Sequence, residues 1–176
     1  LAPSIGVNCR INLNQNRKKN KMKTLSNMIR TAHEIKSIAG GTPEEIKTAV
    51  ACITSCSMSG GLEDTLLDID GAEWRFINDN YIDAIQQDEL ASDEYILGCF
   101  YASFLAKYID MSVKQIKEAQ EAEQFELIGK LVIASGKLEE IQKGYVSGDG
   151  YGHHFAHYDH NQYELEAVCY RMFRVN

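Results

Sequence analysis

The sequence lacks several things at once, and each absence narrows its class. No apolar run approaches the ~20 residues that a membrane-spanning helix requires. The densest stretch, residues 92–109, is interrupted by Gly98, Ser103 and Lys107. The N-terminus has no apolar core of signal-peptide length, and its bases follow its few apolar residues instead of preceding them, so the product is expected to stay in the cytoplasm, off the membrane. There is no Cys-x-x-Cys: cysteines stand at 9, 52, 56, 99 and 169, an odd number with three inside apolar segments, and they read as small core residues of a reducing compartment. Cys52 and Cys56 lie one helical turn apart, but no second pair faces them to complete a metal site. Phosphate loops, Gly-x-Gly-x-x-Gly, Gly-x-Ser-x-Gly and His-Glu-x-x-His are all missing, and Asp68-Ile69-Asp70-Gly71 is only a fragment of a calcium loop. These gaps lower the odds of an enzyme without excluding one, and no cofactor is expected.

Acid is absent from residues 1–23, which carry Arg10, Arg17, Lys18, Lys19, Lys21 and Lys23. The rest of the chain holds 12 bases against 25 acids, so the overall charge of −7 conceals a body of −13. Such a body disfavours nonspecific attraction to nucleic acid or anionic lipid and leaves basic surfaces as the better partners. Residues 1–21, rich in Asn, Lys and Arg without periodicity, read as a disordered basic leader, with Met22 as the domain start. A competing reading makes the leader an arm that touches nucleic acid. With 176 residues in all and 44% apolar content, residues 22–176 are expected to form a single domain with a real core.

What is present alternates helical and extended signals. Leu25, Met28, Ile29, Ala32 and Ile35 recur at helical spacing over 23–38, and Gly40-Gly41 ends that helix. Thr42-Pro43-Glu44-Glu45 is a capping box that starts a second helix, running to about Ser57. Asp70-Gly71 between 66–69 and 72–77 predicts a hairpin with Trp74 and Phe76 on one face. A short helix over 81–89 should lead into a central helix over 93–109, with Ser92 as its N-cap residue and Ile96, Leu97, Phe100, Phe104 and Leu105 buried. Ser112-Val113-Lys114-Gln115 opens a charged helix, an apolar one covers 125–134, and a shorter one 137–144. After the glycines at 148, 150 and 152, residues 153–158 read as a strand, 159–162 as its turn and 163–175 as the return strand. The expected architecture is α+β: about six helices packed on one face of a small antiparallel sheet made of two hairpins.

Two constellations bear on chemistry. The first is His153, His154, His157, Asp159 and His160. On a helix, His153, His157 and His160 would share a face and suit zinc or iron. On a strand, residues four apart are about 13 Å apart, too far for one ion held at about 2.0–2.1 Å per ligand. The glycines and aromatics favour the strand, so no metal is expected and the histidines read as surface or half-buried. A functional variant is a catalytic His157 oriented by Asp159, near Trp74 or Tyr158, with no evident nucleophile. The second is acidic density: residues 63–94 carry 11 acids against Arg75 alone. Glu63, Asp64, Asp68, Asp70, Asp79, Asp83, Asp88 and Glu89 are the candidate binding acids; if they share a face they would steer a basic partner and imitate a nucleic-acid backbone. The plainer reading is a solvated surface with several acids used as helix caps. A helix-turn-helix over 23–57 is disfavoured by the loose Gly40-Gly41 link and by a second helix poor in Arg and Asn.

The segments Asp79-Asn80-Tyr81-Ile82-Asp83, Asp93 to Phe100, Gly150 to Asp159 and Tyr170-Arg171-Met172-Phe173-Arg174 resemble a group of small accessory proteins encoded by tailed phages and mobile elements, over about residues 64–176. In that group the pattern continues Tyr-Asp-Gly, where here His160 follows Asp159, which speaks against a shared metal role for His160 and makes it a turn substitution. The resemblance implies an accessory phage product and transfers no catalytic residue. The expected function is therefore that of a binding protein, an anti-defence or host-takeover factor whose 63–94 surface engages a basic face of a host nucleic-acid-handling protein. The alternative is a small enzyme with its site at the C-terminal hairpin, around His157 and Asp159.

Overall fold

The computed structural model describes the backbone of residues 8–56 and 63–176 and the side chains of 24–54 and 63–176. Its elements are α1 (Asn8–Ala39), α2 (Pro43–Cys56), β1 (Asp64–Ile69), β2 (Ala72–Asn78), α3 (Ile82–Ser92), α4 (Glu94–Cys99), α5 (Ala102–Leu105), α6 (Val113–Glu121), α7 (Phe125–Ala134), α8 (Leu138–Asp149), α9 (Gly152–Phe155), β3 (Tyr163–Leu165) and β4 (Tyr170–Arg174). Met22 falls within α1, and the side chains of the basic leader lie outside the described residues. The fold is α+β, with nine helices among the described residues where about six were expected. All four strands pair antiparallel in the order β1-β2-β4-β3.

Where local chemistry dictates the backbone, the expected elements are found. At the start of α2 the Thr42 amide donates to Glu45 Oε2 (2.6 Å) and the Glu45 amide to Thr42 Oγ1 (3.3 Å), the reciprocal capping box. Ser112 and Gln115 repeat it at α6. Asp70 and Gly71 both take positive φ, 54° and 72°, the type I′ geometry whose twist suits a two-residue hairpin, and Ile69 faces Ala72 across it.

Four expectations are corrected. The continuous helix over 93–109 is broken into α4 and α5, because Phe100 and Tyr101 are extended (ψ 152° and 131°). Gln120 Nε2, from α6, donates to the Gly98 and Phe100 carbonyls at 2.8 and 2.9 Å and so satisfies acceptors at the break. Asp93, not Ser92, caps α4, accepting from the Ile96 amide at 2.9 Å, and Ile96 is exposed. Residues 153–158 are not a strand: Gly152–Phe155 is a helical turn, and the second hairpin is β3–β4, turning through 166–169. Gly152 is there for close approach, since a Cβ on it would lie 2.3 Å from the His160 carbonyl oxygen.

Helices also cover both faces of the sheet, not one. Ile35, Ile46, Val50 and Ile53 of α1 and α2 bury one face against Ile69, Trp74, Phe76 and Met172. On the other face Ile77 and Phe173 meet Ile82, Phe155 and Ala156. Alternation along β2 and β4 explains the division, because successive side chains point to opposite sides. A separate helical core joins Leu90, Leu97, Leu105, Ile116, Ile128, Val132 and Ile141. Its tightest seam is between α4 and α7: a Cβ on Gly98 would lie 2.0 Å from the Phe125 carbonyl oxygen, and one on Gly129 1.9 Å from that of Glu94. The two backbones touch there directly. Of the cysteines in the described side chains, Cys99 and Cys169 are exposed and Cys52 is half-buried, so only part of the core reading holds; Cys9 and Cys56 lie outside the described side chains. Among the described residues no helix is long and apolar enough to cross a membrane.

Candidate functional site: an aromatic cleft with an imidazole wall

A cleft of about 900 Å³ opens between α4–α5 on one side and α8–α9 on the other. Its floor is aromatic: Phe100 meets Tyr145 at a tilt of 35° with ring centroids 4.9 Å apart and meets Phe104 edge-on at 5.8 Å. Helix α8 can lie this close to those rings because its residue 144 is glycine, whose added Cβ would meet the Tyr108 hydroxyl at 2.7 Å and the Phe104 ring at 2.9 Å. One turn on, Gly148 has nothing within 4 Å and presents bare backbone to the opening. The walls carry Glu89, Asp93, Asp149, His153, His154 and His157, and among the described lining residues there is no lysine or arginine. Burial, with the Asp149 charge adding to it, pushes the Tyr145 hydroxyl up to about 12, so it stays protonated.

The α9 wall is fixed by a chain of ion pairs that ties four elements together. Arg75 on β2 binds Asp64 on β1 through Nε and Nη2 (3.0 and 2.5 Å) and Glu89 on α3 through Nη2 (2.5 Å). Its guanidinium carbon lies 4.9 Å from the Phe155 ring centroid. Glu89 Oε2 in turn accepts from His154 Nε2 at 2.9 Å. Burial alone would raise the Glu89 carboxyl, but the bonds from His154 and Arg75 outweigh it and hold the group at about 2. Burial likewise opposes the charge on Arg75, and its two carboxylate partners reverse that and raise it. Glu89 is thus ionised at neutral pH and orients the imidazole of His154. With Nε2–H given to Glu89, Nδ1 is the nitrogen of His154 left to accept a proton.

The expected site residues are divided by this geometry. Among the candidate binding acids, Asp64 and Glu89 serve Arg75; Asp79 binds Arg171 Nε at 2.9 Å; and Asp83 accepts from Tyr151 Oη at 2.5 Å and Gln142 Nε2 at 2.7 Å. Glu63, Asp68, Asp70 and Asp88 stand exposed. Four of these eight acids are therefore spent on internal bonds, and only Glu89 of the eight reaches the cleft. His157 lines the cleft, but Asp159 is turned to other partners: its oxygens accept from the Asn161 amide and the Tyr163 hydroxyl, both at 3.0 Å. No hydrogen bond joins His157 to Asp159. Trp74 is buried in the sheet core against Tyr163, and Tyr158 is exposed with Arg174 over its ring at 3.8 Å. His153 and His160 do approach, at 5.1 Å between centroids. Among the described residues, however, no group of three or more His, Cys, Asp and Glu side chains is placed to hold a metal ion.

Sequence reasoning missed the pairing of His154 with Glu89, the Phe100–Tyr145 floor and Asp149. The histidine was conspicuous, but its partner lies 65 residues earlier in a run of acids with nothing to single it out. The aromatics are indistinguishable in sequence from core. Comparison of the chain with protein-family models, with curated proteins and with solved structures gives no match.

Proposed function

We propose that this protein acts by binding a basic partner, a host protein in the accessory role that the phage-type resemblance implies. The observation that carries the reading is charge: a body of −13 with an aromatic cleft whose walls carry Glu89, Asp93 and the exposed Asp149 and no described lysine or arginine. Asp68, Asp70 and Asp88 are exposed and add to the negative field outside the cleft. The test is retention of proteins from host extract on the immobilised full chain, at low and moderate salt. Basic proteins should be retained in preference to acidic ones, and progressively released as salt rises. Retention of nothing at either salt would refute the reading.

A second reading, an enzyme, is favoured by one specific observation: an imidazole held by a carboxylate on a cleft wall, the arrangement that prepares a general base. It moves the catalytic assignment from His157 and Asp159 to His154 and Glu89. A small-metabolite turnover screen in which His154→Gln abolishes an activity that His157→Ala leaves intact would support it. Activity lost with His157→Ala and kept with His154→Gln would count against it.

A further inference from the structure

Two arginines of this protein are held by the same kind of partnership, a carboxylate together with an aromatic ring. Arg75 binds Asp64 and Glu89 and lies 4.9 Å from the Phe155 centroid. Arg171 binds Asp79 and lies 5.0 Å from the Tyr151 centroid. The cleft offers the same two kinds of partner on a larger scale, with Phe100 and Tyr145 as a double aromatic floor and Asp149 exposed above it at the end of α8.

We infer that the cleft receives an arginine side chain of the partner polypeptide, its guanidinium laid on the Phe100–Tyr145 floor and its N–H groups bonded to Asp149. This rests on the basic-partner reading above and names what is bound. A guanidinium fits better than an ammonium because it is planar, weakly hydrated and carries several donors, so it can stack on a ring and bind a carboxylate at once. Among the described residues the ammonium of Lys107 lies 5.9 Å from the Phe104 centroid, which leaves Phe100 and Tyr145 as the floor for an incoming group. A polypeptide fits better than free arginine because about 900 Å³ exceeds one side chain. The cleft lip adds apolar ground at Ile96 and Tyr101, 42% and 83% exposed, and Gly148 lets a second backbone approach α8.

The experiment is calorimetric titration of the full chain with a short capped peptide carrying one central arginine, and with the same peptide carrying citrulline or lysine there. The arginine peptide should bind, and citrulline, which keeps the shape and loses the charge, should weaken it roughly tenfold or more. Asp149→Asn, at an exposed position that the fold does not use, should weaken it roughly tenfold, and Phe100→Leu by a similar factor once circular dichroism shows it folded. Glu44→Gln, on α2 and outside the lining of the cleft, should change nothing. Equal affinity for arginine and citrulline overturns the inference. So does arginine-peptide binding that Asp149→Asn leaves intact, or failure of the peptide to bind while basic proteins are still retained; both leave the broader reading standing. Loss of all retention of basic proteins removes the broader reading as well.

Discussion

Replacing Gly129 by alanine tests the backbone contact between α4 and α7. Alanine is the better helix former, and in an open helical position the change stabilises by about 0.5–1 kcal/mol. At Gly129 the new Cβ would lie 1.9 Å from the Glu94 carbonyl oxygen and 2.6 Å from its carbon, both backbone atoms. Ordinary contact begins at 3.4 Å, so α4 and α7 must part by about 1.5 Å. Parting them also loosens Leu97, Ile128 and Val132, which are fully buried. Overpacking of a rigid core costs about 1–3 kcal/mol and sometimes more, and the obstacle here cannot rotate away, so the upper end applies. Against the propensity gain, a net loss of about 2 kcal/mol is expected, or roughly 4–8 °C in melting temperature for a chain of this size. Gly148→Ala is the matched control: it is helical with nothing within 4 Å, and should gain a few tenths of a kcal/mol up to about 1. Thermal and urea unfolding of the two variants beside the wild type reads the difference in sign. Gly129→Ala as stable as the wild type would refute the claim that the two backbones touch.

Gln120→Leu should destabilise by about 1–3 kcal/mol in urea unfolding, because it strips the donors from two carbonyls at the α4–α5 break; a neutral result means water replaces the amide without loss. The Glu89 carboxyl sits at about 2 in the fold against an ordinary 4.5, so the stability it contributes is whole above about pH 4.5 and is lost as pH falls toward 2. Glu89→Gln should flatten the stability curve across that window, by an amount damped by the residue's partial exposure, and an unchanged slope in urea midpoints taken through it would contradict the ion-pair chain. Tyr151→Phe removes the donor to Asp83 and should lower stability by about 1 kcal/mol, with no change expected if that hydroxyl prefers solvent.

The parts of the fold that were legible in sequence are those decided within a few residues. Thr42 with Glu45, Ser112 with Gln115, and Asp70 with Gly71 each satisfy or bend their own backbone, so their elements follow from local chemistry. The parts that were not legible depend on partners far along the chain. The break at Phe100 is completed by Gln120, and Gly152 is required by the carbonyl of His160, which packs where a Cβ would stand. A glycine that lets two backbones meet leaves no mark in the sequence until its partner is known. The site follows the same rule: the C-terminal histidines were visible as a group, but the carboxylate that orients one of them comes from α3 and not from the neighbouring Asp159.

The order β1-β2-β4-β3 also sets how the molecule must assemble. One edge of β2 is closed by a strand joined to it through a two-residue turn, while the other waits for β4, with Trp74 opposite Arg174. The first pairing is among the fastest events open to a chain, the second among the slowest, since a long loop must close before any contact rewards it. The intervening helices own a core of their own and can condense first. Through that interval the free edge of β2 is a template for the strand of another molecule. Refolding yield should therefore fall with protein concentration.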